Sequence, residues 1–495
     1  MMTLISATAV DGSSVQFIKK DPMQGGVKDV YFSPKKDYVV AFFRKKLDIQ
    51  GKERLERLVG KYREGIFGQQ GSDFWRDLYR WPEKIVEHGG LTGIVVPTYQ
   101  SKFFFGRDTD RDGAEKEGKW FASAKNFNKY VPPGDKGDLL GFIRICINLS
   151  RAVRRLHAAG LAHSDLSYKN CLVDPASGSA CIIDIDGLVV PNLFPPDVLG
   201  TPDFIAPEVV ATSRLNKTDP GRKFPCRETD QHALAVLIYQ YLFHRHPLRG
   251  KKVHSQDSVE QEFLEMGERA LFIEHPTDHS NRFVIQPNDK DFLPWVDTQK
   301  LPFTLMGPYL KELFLQSFVN GLHSPQERPS ADDWEEALVK TSDLLQLCPN
   351  SSCVKGWYIF DPIAKTSKCP YCGTSVKGQV PVLDFYSSHD GTNFRRENRR
   401  LVVFSGQYLY LWHVMRNMFP NEKLTEADKK AVGYFSFFKN KWVFVNQTLN
   451  SLFLIQNDNR KPIQIGSSVD LIDGSQLLLS TEKDGRIASV SLVNV

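Results

Sequence analysis

HAAGLAHSDLSYKNCLVDPASGSACIIDIDGLVV, residues 157–190, is the stretch on which the reading of this chain turns. Within it, His163-Ser164-Asp165-Leu166-Ser167-Tyr168-Lys169-Asn170 is followed by an apolar pair, Ile182-Ile183, that leads into Asp184. Phosphoryl transfer to a hydroxyl needs a carboxylate that orients the nucleophile and takes its proton, and oxygen ligands that hold Mg²⁺ against the phosphates. Asp165 suits the first task. Asn170 and Asp184 suit the second, because a hard cation takes amide and carboxylate oxygens. The five-residue step from Asp165 to Asn170 lets one loop present both side chains to one site. A single Asp or Asn in a loop usually caps a helix or closes a turn; the ordered set is what outweighs that reading.

Working outward, Leu139, Ile143, Ile147, Val153 and Leu156 recur at helical spacing and predict a helix over 138–159. A nearly all-apolar helix is expected at 231–243, with others at 258–270, 308–319 and 331–345. The first part mixes short β-like runs, 27–32 and 38–43, with a charged helical pattern over 52–64, and 106–119 reads as a surface loop. Residues 347–376 are cysteine-rich. Beyond Arg400 short strands with turn signals are expected at 401–404, 442–445, 451–455, 476–479 and 487–492. The expectation is an α+β domain, a small ribbon and a β-rich tail.

Composition narrows the class. At 495 residues the chain is too long for one core. Lys+Arg 63 against Asp+Glu 58 leaves a formal +5 over the whole length, which demands no nucleic-acid partner. Hydrophobic residues at 41% and charged ones at 24% describe a globular protein. The longest nearly apolar stretch, 233–243, is too short for a bilayer, and residues 1–20 lack the basic flank and apolar core of a secretory signal. Eight cysteines are too sparse for a disulfide scaffold. A cytoplasmic protein with neither membrane nor nucleic-acid partner is expected.

The 163–170 and 184–187 motifs resemble the catalytic loop and metal-binding motif of protein kinases, and the likeness continues downstream in kinase order. GTPDFIAPE (200–208) resembles the end of an activation segment. TDQHALAVLIYQYL (229–242) resembles the buried helix whose leading Asp anchors the catalytic loop. His246-Pro247-Leu248 stands where kinases carry a Pro-Phe turn, and Arg328 resembles the arginine that pairs with the Glu of A-P-E, here Glu208. The resemblance covers roughly residues 15–345. It implies a bilobal fold, with a small lobe over about 1–120 and a large lobe over about 121–345. It also implies use of ATP and Mg²⁺, Asp165 as base, Asn170 and Asp184 as metal ligands, and Lys169 as a neutraliser of the transferring group.

The amino-terminal lobe departs from the pattern. Of the glycine-rich loop only Gly25 and Gly26 remain as phosphate-cradling candidates, and the usual V-A-x-K lysine is missing from Val40-Ala41-Phe42-Phe43. Strand alternation puts Phe43 on the face of Ala41, the nucleotide face if the resemblance holds, and turns Arg44 away. Lys28 on the preceding run can then reach the phosphates, as in some atypical kinases, with Glu53, Glu56 or Glu64 as its helix partner; the other reading is a solvated edge lysine. Asp184-Ile185-Asp186-Gly187 replaces D-F-G, so Asp186 is either a second ligand or a turn residue. Ser164 replaces the arginine that reads a phosphate on the activation segment, and no Ser, Thr or Tyr lies between Asp184 and Gly200. Activity independent of phosphorylation there is expected. Ser167 and Lys169 meet neither the Ser/Thr nor the Tyr pattern, which leaves Ser/Thr transfer a preference.

Cys348, Cys353, Cys369 and Cys372 form two paired knuckles, the ligand set of a closed, structural Zn²⁺ site over about 346–378. Cys146, Cys171, Cys181 and Cys226 read as packing residues. Residues 380–495 read as an all-β sandwich: 449–455, 465–466 and 471–479 resemble the second half of a forkhead-associated domain, without that family's phosphothreonine-binding motifs. Arg395-Arg396-Glu397-Asn398-Arg399-Arg400 reads as a solvated linker or, more sharply, a docking patch for an acidic or phosphorylated partner. Kinase, ribbon and tail in this order resemble the kinases of bacterial stress or tellurite-resistance gene triads. That likeness implies a von Willebrand A-type protein as substrate and a metal-dependent Ser/Thr phosphatase as companion. A pseudokinase scaffold is the alternative.

Overall fold

The computed structural model describes residues 3–20, 22–24, 26–68, 71–106, 111–190, 200–285, 297–457 and 459–495. Gly25 and most of the segment between Asp184 and Gly200 lie outside the described residues. The chain divides into two compact units. One is Met1–Gly137, Gly141–Phe303 and Glu312–Glu335; the other is Asp138–Leu140, Thr304–Lys311 and Glu336–Val495.

The first unit begins with an antiparallel hairpin, β1 (Thr3–Thr8) and β2 (Ser14–Lys19). A five-stranded antiparallel sheet follows: β3 (Met23–Gln24), β4 (Lys28–Phe32), β5 (Tyr38–Phe43), β6 (Lys84–His88) and β7 (Leu91–Pro97), in the order β3-β4-β5-β7-β6. The run of apolar residues in β5 is explained by burial on both faces. Val40 and Phe42 pack with Val15 and Phe17 of the hairpin, while Ala41 packs with Ile94 and with Leu55 of α1 (Ile49–Arg57). The Asp48 carboxylate caps that helix by accepting from Gly51 N at 2.7 Å. The charged pattern over 52–64 thus becomes α1, a π-helical turn at Leu58–Tyr62, and α2 (Arg63–Phe67); α3 (Ser72–Leu78) completes this part.

The rest of the unit is mainly helical: α4 (Ala124–Tyr130), most of α5 (Leu139–Ala158), the hairpin β8 (Cys171–Asp174) and β9 (Ser179–Ile182), α6 (Pro207–Ala211), α7 (Arg227–Phe243) and α8 (Ser258–Met266), whereas α9 (Gly307–Leu315) and α10 (Ala331–Ser342) are divided between the two units. Every residue of α7 from His232 to Phe243 is buried, so apolar side chains on all its sides are what it requires. Residues 106–119 are more than a surface loop. Single bridges pair Phe104 with Glu115 and Glu117 with Leu172, and the Lys116 ammonium is buried between Asp135 at 2.7 Å and Asp174 at 2.8 Å. Sequence reading misses this because the two carboxylates that permit burial lie well downstream of the lysine.

In the second unit β10 (Leu345–Leu347) and β11 (Trp357–Ile359) form a small ladder. Then come β12 (Gln379–Ser387), β13 (Arg395–Val402), β14 (Tyr408–Tyr410), α11 (Leu411–Val414), β15 (Ala431–Phe438), β16 (Lys441–Asn446), β17 (Phe453–Gln456), β18 (Asn459–Pro462), β19 (Ser468–Asp470), β20 (Gln476–Leu478) and β21 (Arg486–Asn494). They make a six-stranded sheet, β13-β12-β21-β20-β17-β18, and a four-stranded sheet, β14-β15-β16-β19. Leu383, Phe385, Leu477 and Val490 of the first share one core with Leu409, Phe435 and Phe444 of the second. The arginine run is therefore not a linker. It is the edge strand β13, and its charges are met by partners from three separate segments: Arg399 by Asp343 at 2.8 Å, Arg400 by Asp384 at 2.7 Å, and Glu397 by the guanidinium of Arg486 at 2.9 Å. No helix among the described residues is long and apolar enough to cross a membrane.

Candidate active site

The β4–β5 register sets Lys28 opposite Phe43 and Val30 opposite Ala41, so these four side chains share one face. Phe43 fills the position where a strand lysine is absent, and Lys28 supplies an ammonium from the strand beside it, 5.5 Å from the Phe43 ring centroid. Lys28 Nζ donates to Asp184 Oδ1 at 2.9 Å and to both oxygens of Asp186, at 2.6 and 2.8 Å. Burial works against this charge, but Asp186 and then Asp184 outweigh it and hold the ammonium well above the usual lysine range. Burial likewise raises Asp184, and the nearby Lys28 more than reverses it, leaving that carboxylate below its ordinary value. The solvated-lysine reading of Lys28 fails: its side chain is only 14% exposed. The expected glutamate partners do not take it up; Glu53 pairs with Arg57 at 2.6 Å instead. Arg44 pairs with Asp29, which alternation turns to the opposite face. Gly26 precedes β4, and a Cβ there would meet nothing within 4 Å.

Asp184 sits just past β9 in the left-handed region, φ 60° and ψ 42°, a costly place for a residue with a Cβ. It is held there from both sides. Ile183 N donates to Asn170 O at 2.9 Å, the His163 ring nitrogen Nε2 meets Ile183 O at 3.2 Å, and beyond a 3₁₀ turn Val189 bridges to Ala162. The loop carrying Asp165 is fixed in turn by α7. The Asp230 carboxylate accepts from His163 N at 2.7 Å and Ser164 N at 3.1 Å, and lies 3.1 Å from His157 Nε2. Ser164, at φ 65°, takes the same left-handed conformation as Asp184.

Asp165 is bound on both carboxylate oxygens. Thr201 donates to Oδ1 twice, from its backbone N–H at 2.6 Å and its hydroxyl at 2.8 Å. Asn170 Nδ2 donates to Oδ2 at 3.0 Å and to the Asp165 carbonyl at 2.8 Å. With its amide donors used on Asp165, Asn170 keeps its Oδ1 as an acceptor, the oxygen a hard cation takes. Asp184, the more open of the Lys28 partners at 55% exposed, offers carboxylate oxygens of the same kind, so the donor set fits Mg²⁺. Lys169 is exposed on the same loop. Thr201 as a partner of Asp165 escapes sequence reading, since the two are 36 residues apart; its place in the Gly-Thr-Pro step was the available signal.

In the second unit the four thiols of Cys348, Cys353, Cys369 and Cys372 lie within 4.8 Å of one another. Cys348 Sγ is 3.5 Å from Cys372 Sγ and Cys353 Sγ is 3.8 Å from Cys369 Sγ. Tetrahedral Zn²⁺ with bonds of about 2.3 Å sets its sulfurs about 3.8 Å apart, so the four fit this ion without an open position. The knuckle turns are tight: Gly373, at φ 75°, donates its N–H to Cys369 O at 2.8 Å.

The protein kinase domain family matches residues 141–333. No curated protein matches the chain. Two similar solved structures come from Toxoplasma gondii: a specific rhoptry antigen kinase domain and a rhoptry kinase. Each is 12% identical with a TM-score of 0.40, the match covering 69% of this chain and 86% and 84% of theirs.

Proposed function

We propose that the chain is an ATP- and Mg²⁺-dependent protein kinase that phosphorylates Ser/Thr hydroxyls of a partner protein. The observation that carries this is the convergence of Lys28 on Asp184 and Asp186 at the edge of the loop that holds Asp165 and Asn170. Asn170 Oδ1 and the Asp184 carboxylate are the ligands that would hold Mg²⁺, with Asp186 beside them, and Lys28 is the cation that would hold the phosphates. The metal, when bound, neutralises charge on the phosphate oxygens. Val30 and Ala41 give the apolar surface above the nucleotide. Asp165 orients the acceptor hydroxyl and takes its proton as that oxygen bonds to the γ-phosphorus and the bridging oxygen to the β-phosphorus leaves. Lys169, exposed beside it, neutralises charge on the transferring group. The Thr201 hydroxyl beside Asp165 supports a short hydroxyl acceptor. The order of modules supports a bacterial stress-response setting with a von Willebrand A-type substrate, and the thiol cluster supports structural zinc.

Radiolabelled ATP with the full chain, alone and with casein as acceptor, tests the reading. Transfer is expected from the native chain and a loss of about 100-fold or more from Asp165→Ala. Undiminished transfer by that variant ends the base assignment. Transfer by neither favours a scaffold. Phosphoamino-acid analysis decides the acceptor.

A further inference from the structure

Part of β13 has no role in the reaction above. Its side chains line a cavity of about 600 Å³ in the second unit, inside the range of roughly 300–1,000 Å³ common for small-molecule sites. Six cationic side chains line it, those of Lys340, Arg395, Arg396, Arg399, Arg416 and Arg486, against the carboxylates of Glu336 and Glu397. Four of the six have acidic partners. Arg399 pairs with Asp343, Arg486 with Glu397, Lys340 with Glu336 at 2.6 Å, and Arg396 with Asp384 at 3.2 Å, an acid it shares with Arg400. Arg399 and Arg486 are also buried, and both donate to the Trp412 carbonyl, at 3.1 and 2.7 Å. They are a rigid wall, not free ligands.

Arg395 and Arg416 differ. Both are exposed and neither has a carboxylate partner among the described residues. Arg416 is nevertheless aimed: His389 Nδ1 lies 3.2 Å from Asp484 Oδ1, and Arg416 Nη1 lies 2.8 Å from His389 Nε2. The cavity therefore keeps a surplus of about two guanidinium charges, and it adds an apolar contribution from Met418 and Phe419. Guanidinium forks match phosphate oxygens in pairs. A flat basic face would suit a polynucleotide or a lipid surface. A concave volume of this size, with two uncommitted arginines beside two apolar side chains, suits a compact molecule that has at least two negative charges and an apolar body.

We propose that this cavity binds a small phosphate-bearing molecule, up to nucleotide size, through Arg395 and Arg416. The proposal is independent of the kinase reading. Calorimetric titration of the full chain with inorganic pyrophosphate, and separately with phenyl phosphate, in buffer without Mg²⁺, tests it. Saturable binding is expected, weakening at higher ionic strength and falling at least tenfold in an Arg395→Gln/Arg416→Gln variant. Lys28→Met is expected to bind as the native chain does. Because both arginines are exposed, the double variant should keep the native melting temperature. If it does not, Arg395→Lys and Arg416→Lys, which keep the charge and remove the fork, replace it and should each weaken binding. No saturable binding of either probe overturns the proposal. So does binding lost in Lys28→Met and kept in the double arginine variant, which would place the probe in the cleft. Binding of a phosphothreonine peptide through the same arginines, ten times tighter than either probe, would reassign the cavity to a protein partner.

Discussion

Lys28 and Phe43 occupy directly paired positions on neighbouring strands, so a cation on either can serve the same face. Lys28→Met is expected to lower phosphoryl transfer by about 100-fold, and adding Phe43→Lys to recover at least a tenth of the loss-free rate; steady-state rates check both, and no recovery would mean that position 28 does something a neighbouring ammonium cannot. The pH behaviour of the pair follows from its shifts. Lys28 is raised in the folded chain, so its contribution to stability is whole below its ordinary value of 10.5 and is lost as pH climbs through the higher folded value. Asp184 is lowered, so its contribution is whole above 3.8 and is lost as pH falls through the lower folded value. Between those limits the pair stays charged. Thermal melts across pH 5–10 should therefore show no transition that Lys28→Met removes, whereas one that it does remove would contradict the assigned charges. Strand alternation alone was enough to nominate Lys28. Its carboxylate partners were legible only as metal ligands, because sequence does not show that a motif more than 150 residues away folds back onto β4.

Helix α7 and strand β13 show how far a periodic pattern can be read. The unbroken apolar run of α7 announces burial, and Asp230 at its start is tied to the loop that carries Asp165 by backbone donors, a bond that spacing by itself cannot show. Arg328 behaves similarly toward Glu208 in the first turn of α6. Its side chain is 1% exposed, and it donates to both Glu208 oxygens, at 2.9 and 2.7 Å, and to the carbonyls of Gly321, Glu228 and Leu322. Arg328→Ala leaves these acceptors without their donor and should cost about 3 kcal/mol, read as a lowered melting temperature with loss of kinase activity; an unchanged melt would reject a structural role. Strand β13 is the opposite case. Six polar residues in a row give no apolar alternation, and what makes them a strand is pairing with β12 and the acids that meet their charges.

The two compact units both bury hydrophobic cores, and the second also gathers thiols. The first unit buries long aromatic and aliphatic side chains; in the second, a β core is accompanied by a segment, 348–373, with little regular structure, in which four thiols are gathered. A zinc ion held by these thiols would supply folding energy that such a segment cannot gain from burial. Metal analysis should find one zinc per chain, and removal by a chelator, or Cys369→Ser, should lower the melting temperature of the full chain; absence of zinc in protein purified without chelator would sink the assignment. What the sequence determined by itself was whatever is local: the Asp165–Asn170 spacing, the apolar α7, the two cysteine knuckles, the β texture beyond residue 400. Each is encoded within a few turns or strands, where backbone periodicity and ligand spacing act directly. Only the tertiary structure decided which charges meet. It brought Lys28 to Asp184 and Asp186, closed Thr201 onto Asp165, buried Lys116 between two acids, and made an edge strand and a cavity wall of an arginine run. Partnerships between groups far apart in number depend on how separate elements pack, and nothing within either segment records the other's position.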